Sequence, residues 1–265
     1  MKLTPSVRPY WYVDAKWICG ILLALALTIA LTFLTLAKLT DQDQGPKIAA
    51  LVIGTTFIRG DTVDTPDNRQ ALAEHGGVIQ PFANIPSVKI TADDLKLTPG
   101  QLSLKVFKPL TESIYNDGIE GAADKFGATA EQKAKFKKDA SLFTIFTKTA
   151  HQKLQGIFIL FAIVSLLLAL GVVYFSAGWG RLSNLGFLLL LISVPGTLVA
   201  LMLNHPPKDE YGGFGTFSPE LTSQLGQAAA AAYTKVTLLG LALLVAALFG
   251  RVYSSLSKPK GKSSK

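Results

Sequence analysis

The chain has 265 residues, of which 49% are hydrophobic and only 17% are charged, and its formal net charge is +8. Soluble domains carry about 25% charged residues, so this composition excludes an ordinary soluble protein and predicts one that lies in a membrane. The positive surplus lies at the two chain ends and not on a basic face with base-reading side chains. This distribution argues against a nucleic-acid-binding protein, and nucleic acid is not expected as a partner.

The first predicted element is a transmembrane helix over residues 17–38, which follows a cytoplasmic arm over residues 1–16. Its uncharged run is about as long as the roughly 20 residues that a helix needs to cross a bilayer. It exceeds the apolar core of a signal peptide, about 7–15 residues, and no small-residue cleavage motif follows, so we expect an uncleaved span. Aromatic residues cluster where the run begins, as they do at headgroup level: Tyr10, Trp11, Tyr12 and Trp17.

Residues 39–153 predict an extracytoplasmic domain of mixed α/β structure. Residues 48–58 are apolar and rich in β-branched side chains, which favours a strand. A short helix is expected near residues 69–74, ended by the glycine pair at 76–77, and a second short strand over residues 88–91. From Leu110 the spacing of apolar residues becomes helical, so the helices concentrate in the second half of the domain.

The last helix of this domain is predicted to begin at about residue 129 and to continue into the second span, residues 154–177. Thr129 and Gln132 have the spacing of a capping box, which marks a helix start. At about 1.5 Å per residue, one helix of this length would carry the outer domain on its end.

The remaining chain predicts two more spans. A cytoplasmic link over residues 178–181 leads into the third span, residues 182–204, in which Pro195 and Gly196 should kink or unwind the helix. After an extracytoplasmic loop over residues 205–218, an outer helical extension and the fourth span cover residues 219–250. Residues 251–265 form a basic cytoplasmic tail.

The distribution of cations predicts the orientation of the spans. The N-terminal arm, the Arg181 link and the C-terminal tail are basic, whereas the long insert is close to neutral and the second loop is acidic. The positive-inside rule therefore places both termini in the cytoplasm, at the plasma or inner membrane. This layout resembles that of claudin-type tetraspan proteins, whose tryptophan and paired-cysteine signature is absent from the first loop. The resemblance implies the layout alone.

Two groups of residues are weak candidates for binding a metal ion. The oxygens of Asp61, Asp64 and Asp67 fall in one turn and could contribute to a calcium site, although the spacing is not that of an EF-hand and such residues also stabilise turns by themselves. His151 and His205 lie at the predicted outer membrane surface and with Glu210 could form a two-histidine, one-carboxylate site. Both histidines also suit an interfacial position, and no metal or other cofactor is predicted.

Lys235 is the one ionisable residue near the interior of a predicted span. Such a residue is a functional candidate, but a lysine on a long helix can also extend to the headgroups. Small residues on the fourth helix would let another helix approach closely, within the bundle or from a partner. They are Ala228–Ala232, Gly240, Ala242, Ala246, Ala247 and Gly250.

These features favour a non-enzymatic tetraspan protein whose outer domain binds a partner or ligand, as an accessory, assembly or sensing subunit. The expected partners are the lipid bilayer and another membrane or envelope protein. No sequence motif of a nucleophile, a phosphate loop or a metalloprotease is present. The alternative is a small transporter or channel that uses the Pro195-Gly196 break and Lys235. A membrane-embedded enzyme with an outer-surface metal site is a third hypothesis.

Overall fold

The computed structural model describes residues 9–57, 63–80, 89–127, 129–205 and 219–257. Within these ranges the chain is predominantly helical, and two short antiparallel strands form its only sheet. The helices are α1 Trp11–Leu39, α2 Gly45–Phe57, α3 Pro66–Glu74, α4 Pro99–Phe126, α5 Ala130–Asp139, α6 Lys148–Phe175, α7 Gly180–Asn204 and α8 Pro219–Leu256. The strands are β1 Val78–Ile79 and β2 Ile90–Thr91, and 3₁₀ turns cover Ala92–Lys96 and Ala140–Phe146.

Four helical segments among the described residues are long and apolar enough to cross a membrane. They are Trp11–Leu39, Ala130–Phe175, Gly180–Asn204 and Glu220–Leu256. A helix suits this environment because it satisfies its own backbone hydrogen bonds where no water is present. The chain therefore has the helices of an integral membrane protein, as the sequence predicts.

The chain forms two compact units, each of which has its own packing. The span unit comprises residues 1–34, 156–199 and 229–265, and the insert unit comprises residues 35–155 and 200–228. Exposed leucine, isoleucine and phenylalanine side chains are frequent on the helices of the span unit. This is the pattern expected where lipid, and not water, solvates a helix.

Helices α2 and α4 form the centre of the insert unit and run antiparallel. Gly54 of α2 lies directly against the Ser103 side chain of α4, and the Thr111 hydroxyl of α4 donates a 2.7 Å hydrogen bond to the carbonyl of Pro46 at the start of α2. The surrounding core contains residues of α2 to α5 and of the segments between them that the structure describes: Ala50, Ile53, Val63, Leu72, Ile90, Leu95, Leu102, Val106, Phe107, Leu110, Ile114, Ala122, Ala123, Phe136 and Ala140.

The predicted strand over residues 48–58 is wrong, because the described part of this segment belongs to α2. The Asp41 carboxylate accepts the backbone N–H groups of Asp43 and Gln44 just before the helix, which supports its first turn. The helix buries nearly all of its apolar residues against α4 and the start of α8, so tertiary packing outweighs the β-propensity of its valine and isoleucines. The described insert is accordingly helical and not mixed α/β.

Several local predictions for the insert are confirmed. Helix α3 ends at Glu74 and is followed by Gly76 and Gly77, whose φ angles of 66° and 86° suit glycine. The capping box of Thr129 and Gln132 is present at the start of α5. Helix α4 begins earlier than predicted, because Thr98 and Gln101 form a second capping box, and it is interrupted at Gly118, where φ is 73° and ψ is 178°.

The segment predicted as one helix from about residue 129 into the second span is divided into three parts. Helix α5 ends at Asp139, a 3₁₀ turn covers Ala140–Phe146, and α6 begins at Lys148. Between the last two parts Thr147 is extended, with φ of −92° and ψ of 153°, and its hydroxyl accepts the N–H of Ala150. Thr147 thus caps a new helix and does not continue an old one.

Helices α7 and α8 pack antiparallel in the span unit through small residues. A methyl group at Gly186 would lie 2.8 Å from the carbonyl oxygen of Gly240, and one at Gly240 would lie 3.0 Å from that of Gly186. Helix α1 packs against α6 in the same unit, where Cys19 lies against Gly171. The ring of Tyr12 in α1 is 5.4 Å from that of Phe175 in α6. The small residues Gly240 and Gly250 therefore serve packing within the chain.

Candidate functional site

The proposed calcium ligands do not converge in the described residues. The Asp64 carboxylate accepts a 2.6 Å hydrogen bond from Nε of Arg69, and hydrogen bonding to this guanidinium lowers the pKa of Asp64. The side-chain amide of Asn68 donates to the carbonyl of Val63 at 2.8 Å, so the turn uses its own polar groups. Asp67 lies in the first turn of α3, and Asp61 lies outside the described residues.

The structure gives the two histidines different surroundings. Nδ1 of His151, in the first turn of α6, is 3.4 Å from the hydroxyl of Thr40, which follows α1 and is buried. His205 directly follows α7, and Glu210 lies outside the described residues. Among the described residues no three histidine, cysteine or carboxylate side chains are grouped so that they could hold a metal ion. His75 has a structural position, since its ring hydrogen-bonds to the carbonyl of Ala71 at the end of α3.

The intramembrane candidates lie on different faces of α7 and α8. Helix α7 remains helical through Pro195 and Gly196 up to Asn204, without the predicted local unwinding. The ring of Tyr233 covers Gly196 and fills the space that a side chain would need. Lys235 is exposed and is two residues from Thr237, which faces α7, so it lies on the opposite side of α8. This arrangement does not favour a transport path between the two helices that Pro195, Gly196 and Lys235 would line together.

A hydroxyl cluster inside the span unit was missed by the sequence analysis. The hydroxyl of Thr237 in α8 is 2.9 Å from that of Ser193 and 2.8 Å from that of Thr197, both in α7. Ser193 is fully buried, and both α7 hydroxyls also donate to carbonyls of their own helix. Because every hydroxyl has partners, the cluster joins two helices and leaves no group free for a ligand. The sequence signal for this cluster was the pair Ser193 and Thr197, which are four residues apart in an apolar helix.

A buried carboxylate of the insert unit was also missed. Asp94 accepts hydrogen bonds of 2.8 Å from the backbone N–H and the hydroxyl of Thr91, and another from the Lys105 ammonium group. Burial by itself would raise the pKa of Asp94, but the hydrogen bonds from Lys105 and Thr91 together hold this pKa below its ordinary value. The carboxylate is therefore ionised and fully bonded, as a structural group is. The spacing of Thr91 and Asp94 was a readable capping signal.

Within the insert unit, the first turn of α8 contacts the start of α4 through a carboxylate. The Glu220 side chain lies over Gly100 in the first turn of α4 and accepts a 3.4 Å hydrogen bond from the Thr98 hydroxyl. A negative charge is favourable at this position because the N-terminal end of a helix carries partial positive charge. Leu221 is buried beside Glu220 and packs with Ile48 and Leu51 of α2.

The 3₁₀ turn before α6 carries exposed apolar side chains. Leu142 is 83% exposed and Ile145 is 43% exposed, whereas Ala140 in the same turn is buried in the core. Exposed cations flank this turn on both sides: Lys135, Lys137, Lys138 and Lys148. We call Leu142 and Ile145 with Lys138 and Lys148 the Leu142 patch. In this short segment of the described insert unit, exposed apolar and positively charged side chains occur together.

The architecture defines a class of protein: a helical integral membrane protein whose first two spans are separated by an insert with a helical core. The chain matches no protein-family model, no curated protein and no solved structure.

Proposed function

We propose that this chain is a non-enzymatic tetraspan membrane protein whose insert unit binds another membrane or envelope protein. In this proposal both termini are cytoplasmic and residues 39–153 are outside, so the protein acts as an accessory, assembly or sensing subunit. The orientation is supported by the positive-inside rule, since Lys16, Arg181 and Arg251 lie at the chain ends and the short link.

The observation that carries the proposal is the Leu142 patch. The same 3₁₀ turn buries Ala140 and packs Phe143 against the core, yet it leaves Leu142 almost fully exposed. Apolar residues that are exposed beside a well-formed core are candidates for contact with another surface. Neither Leu142 nor Ile145 belongs to the core cluster of the insert unit.

The charge around the patch specifies the chemistry of the partner. No acidic side chain forms an ion pair with Lys138 or Lys148 in the part of the chain that the structure describes, whereas Lys133 pairs with Asp124 at 2.9 Å. A complementary surface would supply an apolar contact for Leu142 and acidic side chains for the two lysines. We therefore expect a protein partner with an acidic rim around an apolar centre.

The test is site-specific photocrosslinking of the full chain in its native membrane. A photoreactive phenylalanine analogue in place of Leu142 should yield one protein adduct of defined mass. The same analogue in place of the exposed Glu131 on α5 serves as the control and should not yield it. Charge reversal by Lys138→Glu with Lys148→Glu should abolish the adduct. Adducts with lipid alone, or a protein adduct that survives the charge reversal, would contradict the proposal.

Orientation is tested separately with single cysteines. In a Cys19→Ser background, Gln70→Cys on α3 and Ser255→Cys on α8 each place one thiol at an exposed position. A membrane-impermeant maleimide added to intact cells should label the first variant and spare the second until the membrane is permeabilised. Labelling of Ser255→Cys alone would place the insert in the cytoplasm and remove the basis for an external partner.

A further inference from the structure

Lys235 is the one charged residue in the apolar parts of the four spanning segments, which are residues 18–37, 154–175, 182–204 and 221–250. It is exposed, and none of the ion pairs that the described residues form includes it. A charged side chain inside a bilayer is costly, and it is usually paired with an opposite charge or directed into water. Lys235 therefore lacks, within the described chain, the partner that its position requires.

The level of Lys235 in the span unit follows from the packing of α7 against α8. The hydroxyl of Thr237 is 2.9 Å from that of Ser193 and the two helices are antiparallel, so Lys235 is level with Pro195. About 20 residues of α7, counted from Leu182, are enough to cross the hydrocarbon layer. Lys235 therefore lies about six residues, or about 9 Å, inside the boundary at the far end of α7.

The same side of α8 carries small residues that the chain itself does not cover. We call this side the Lys235 face: Ala231, Lys235, Leu239, Ala242 and Ala246. Successive members of the set are three or four residues apart, so they lie along one face of the helix, and all of them are exposed. Other small residues of α8 are buried within the chain: Ala232, Gly240 and Ala247. The small residues of α8 thus divide between packing inside the chain and an uncovered face.

The possible occupants of this face differ in what they offer Lys235. Lipid chains have no group that could pair with an ammonium group. A second copy of this chain would bring a second lysine and no acidic side chain, because the apolar parts of its spans contain none. A transmembrane helix of another protein that carries an aspartate or a glutamate supplies the opposite charge. The exposed alanines would let its backbone approach closely enough for that contact.

We propose that the Lys235 face binds a transmembrane helix of another membrane protein, with an ion pair between Lys235 and an acidic side chain of that helix. The alanines determine how closely the two helices pack, and the ion pair determines the depth of the partner helix. This interface belongs to the span unit, whereas the Leu142 patch belongs to the insert unit. The inference therefore goes beyond the proposed function and does not depend on it.

The test measures the binding of defined transmembrane peptides to the full chain in phosphatidylcholine vesicles, by energy transfer between fluorescent labels. The peptides are leucine–alanine helices that carry either a glutamate or a leucine at the depth of Lys235. The glutamate peptide should bind about tenfold more tightly, because it alone offers the ammonium group a charged acceptor, and tenfold corresponds to about 1.4 kcal/mol. Equal binding of the two peptides would overturn the proposal. Loss of the difference in vesicles that contain phosphatidylglycerol would also overturn it, because Lys235 would then extend to the headgroups.

Two variants of Lys235 assign the preference to its charge. Lys235→Met removes the charge and keeps a long side chain, so the preference for the glutamate peptide should disappear. Lys235→Glu should reverse the preference in favour of a peptide with a lysine at the same depth. A preference for glutamate that survives Lys235→Met would contradict the assignment.

Further variants assign the contact to the Lys235 face. Ala242→Leu should weaken binding of the glutamate peptide, because the larger side chain keeps the helices apart. Gly156→Leu adds bulk at an exposed position of α6 and should leave binding unchanged. Lys138→Glu with Lys148→Glu alters the Leu142 patch and should also leave it unchanged, so the two interfaces are tested independently. Binding that Ala242→Leu does not weaken would exclude this face as the contact.

Discussion

Asp94 and Lys105 form an ion pair of very unequal exposure: the Asp94 side chain is 3% exposed, and the Lys105 side chain is 60% exposed. The carboxylate is thus held inside the insert unit by Thr91 at the end of β2 and by Lys105 on α4. Removing its charge leaves those partners without an acceptor of equal strength. The pair therefore provides a sharp test of how the insert unit is stabilised.

The first prediction concerns Asp94→Asn. We expect a loss of about 1–3 kcal/mol, the cost of removing a charged hydrogen-bond partner from a buried site. The unfolding midpoint of the purified chain measures it. Asp93→Asn is the matched control, since Asp93 pairs with Lys96 at 3.0 Å but its side chain is 85% exposed. An equal loss in both variants would show that the burial of Asp94 is unimportant.

The same carboxylate predicts a pH dependence. Because the folded-state pKa of Asp94 is lowered, its stabilisation is complete above its unfolded-state value of about 3.9 and is lost as the pH falls through the folded-state pKa. The wild-type midpoint should therefore fall more steeply than that of Asp94→Asn as the pH decreases below about 4. Parallel pH profiles for the two proteins would contradict this.

The second pair to test is Gly186 and Gly240 in the span unit. Gly186→Leu should destabilise the chain by about 1–3 kcal/mol or more, because the nearest atom is the carbonyl oxygen of Gly240, which cannot rotate away. Gly156→Leu on α6 is the control, since that position is exposed and has open space around it. Midpoints in detergent compare the two. A larger loss at Gly156 would exclude the close contact between α7 and α8.

The hydroxyl cluster predicts a smaller effect. Thr237→Val removes the hydrogen bonds to Ser193 and Thr197 without changing the side-chain shape, and we expect a loss of about 0.6 kcal/mol, at most about 1.7. Thr28→Val on α1 is the control, because the Thr28 hydroxyl bonds only to the carbonyl of Ala24 in its own helix. If both variants lose the same amount, the bonds between α7 and α8 contribute nothing.

The contact of Gly54 with Ser103 can be tested by compensation. Gly54→Ala should destabilise the insert unit, because the new methyl group would overlap the Ser103 side chain. In a Ser103→Gly background, Gly54→Ala should lower the stability less than it does in the wild type, because the overlapping side chain is gone. Ser103→Gly by itself costs about 0.5–1 kcal/mol, as a glycine does in a helix interior. Strictly additive losses in the double variant would contradict the antiparallel contact of α2 and α4.

The sequence predicted the features that depend on neighbouring residues. The four apolar runs, the capping box of Thr129 and Gln132 and the glycine stop after α3 all act within a few residues, and the structure contains each of them. The sequence did not predict α2, because this helix is stabilised by its packing against α4, including contacts with Ser103 and Thr111. The break in the helix at Thr147 was also missed, because the apolar pattern of the sequence continues across it.

The candidate sites follow the same division. The hydrogen bond of His75 to the carbonyl of Ala71 is local, because it joins residues four apart at the end of α3. The contact of the Trp179 ring with Gly250 depends on the chain before α7 lying against the end of α8, so the spacing along the chain could not reveal it. Lys235 was a candidate because it is an isolated cation near the interior of a predicted span. It is exposed because Thr237 faces α7 and Lys235 lies on the opposite side of α8.

The single thiol of the chain, Cys19, lies beside Gly171 in the span unit, and the insert unit contains none. The insert is therefore held together without covalent cross-links, and its stability should be the same in reducing and in oxidising surroundings. A reductant such as dithiothreitol should leave its unfolding unchanged. The insert unit can accordingly fold in a reducing or in an oxidising compartment without a disulfide-forming catalyst.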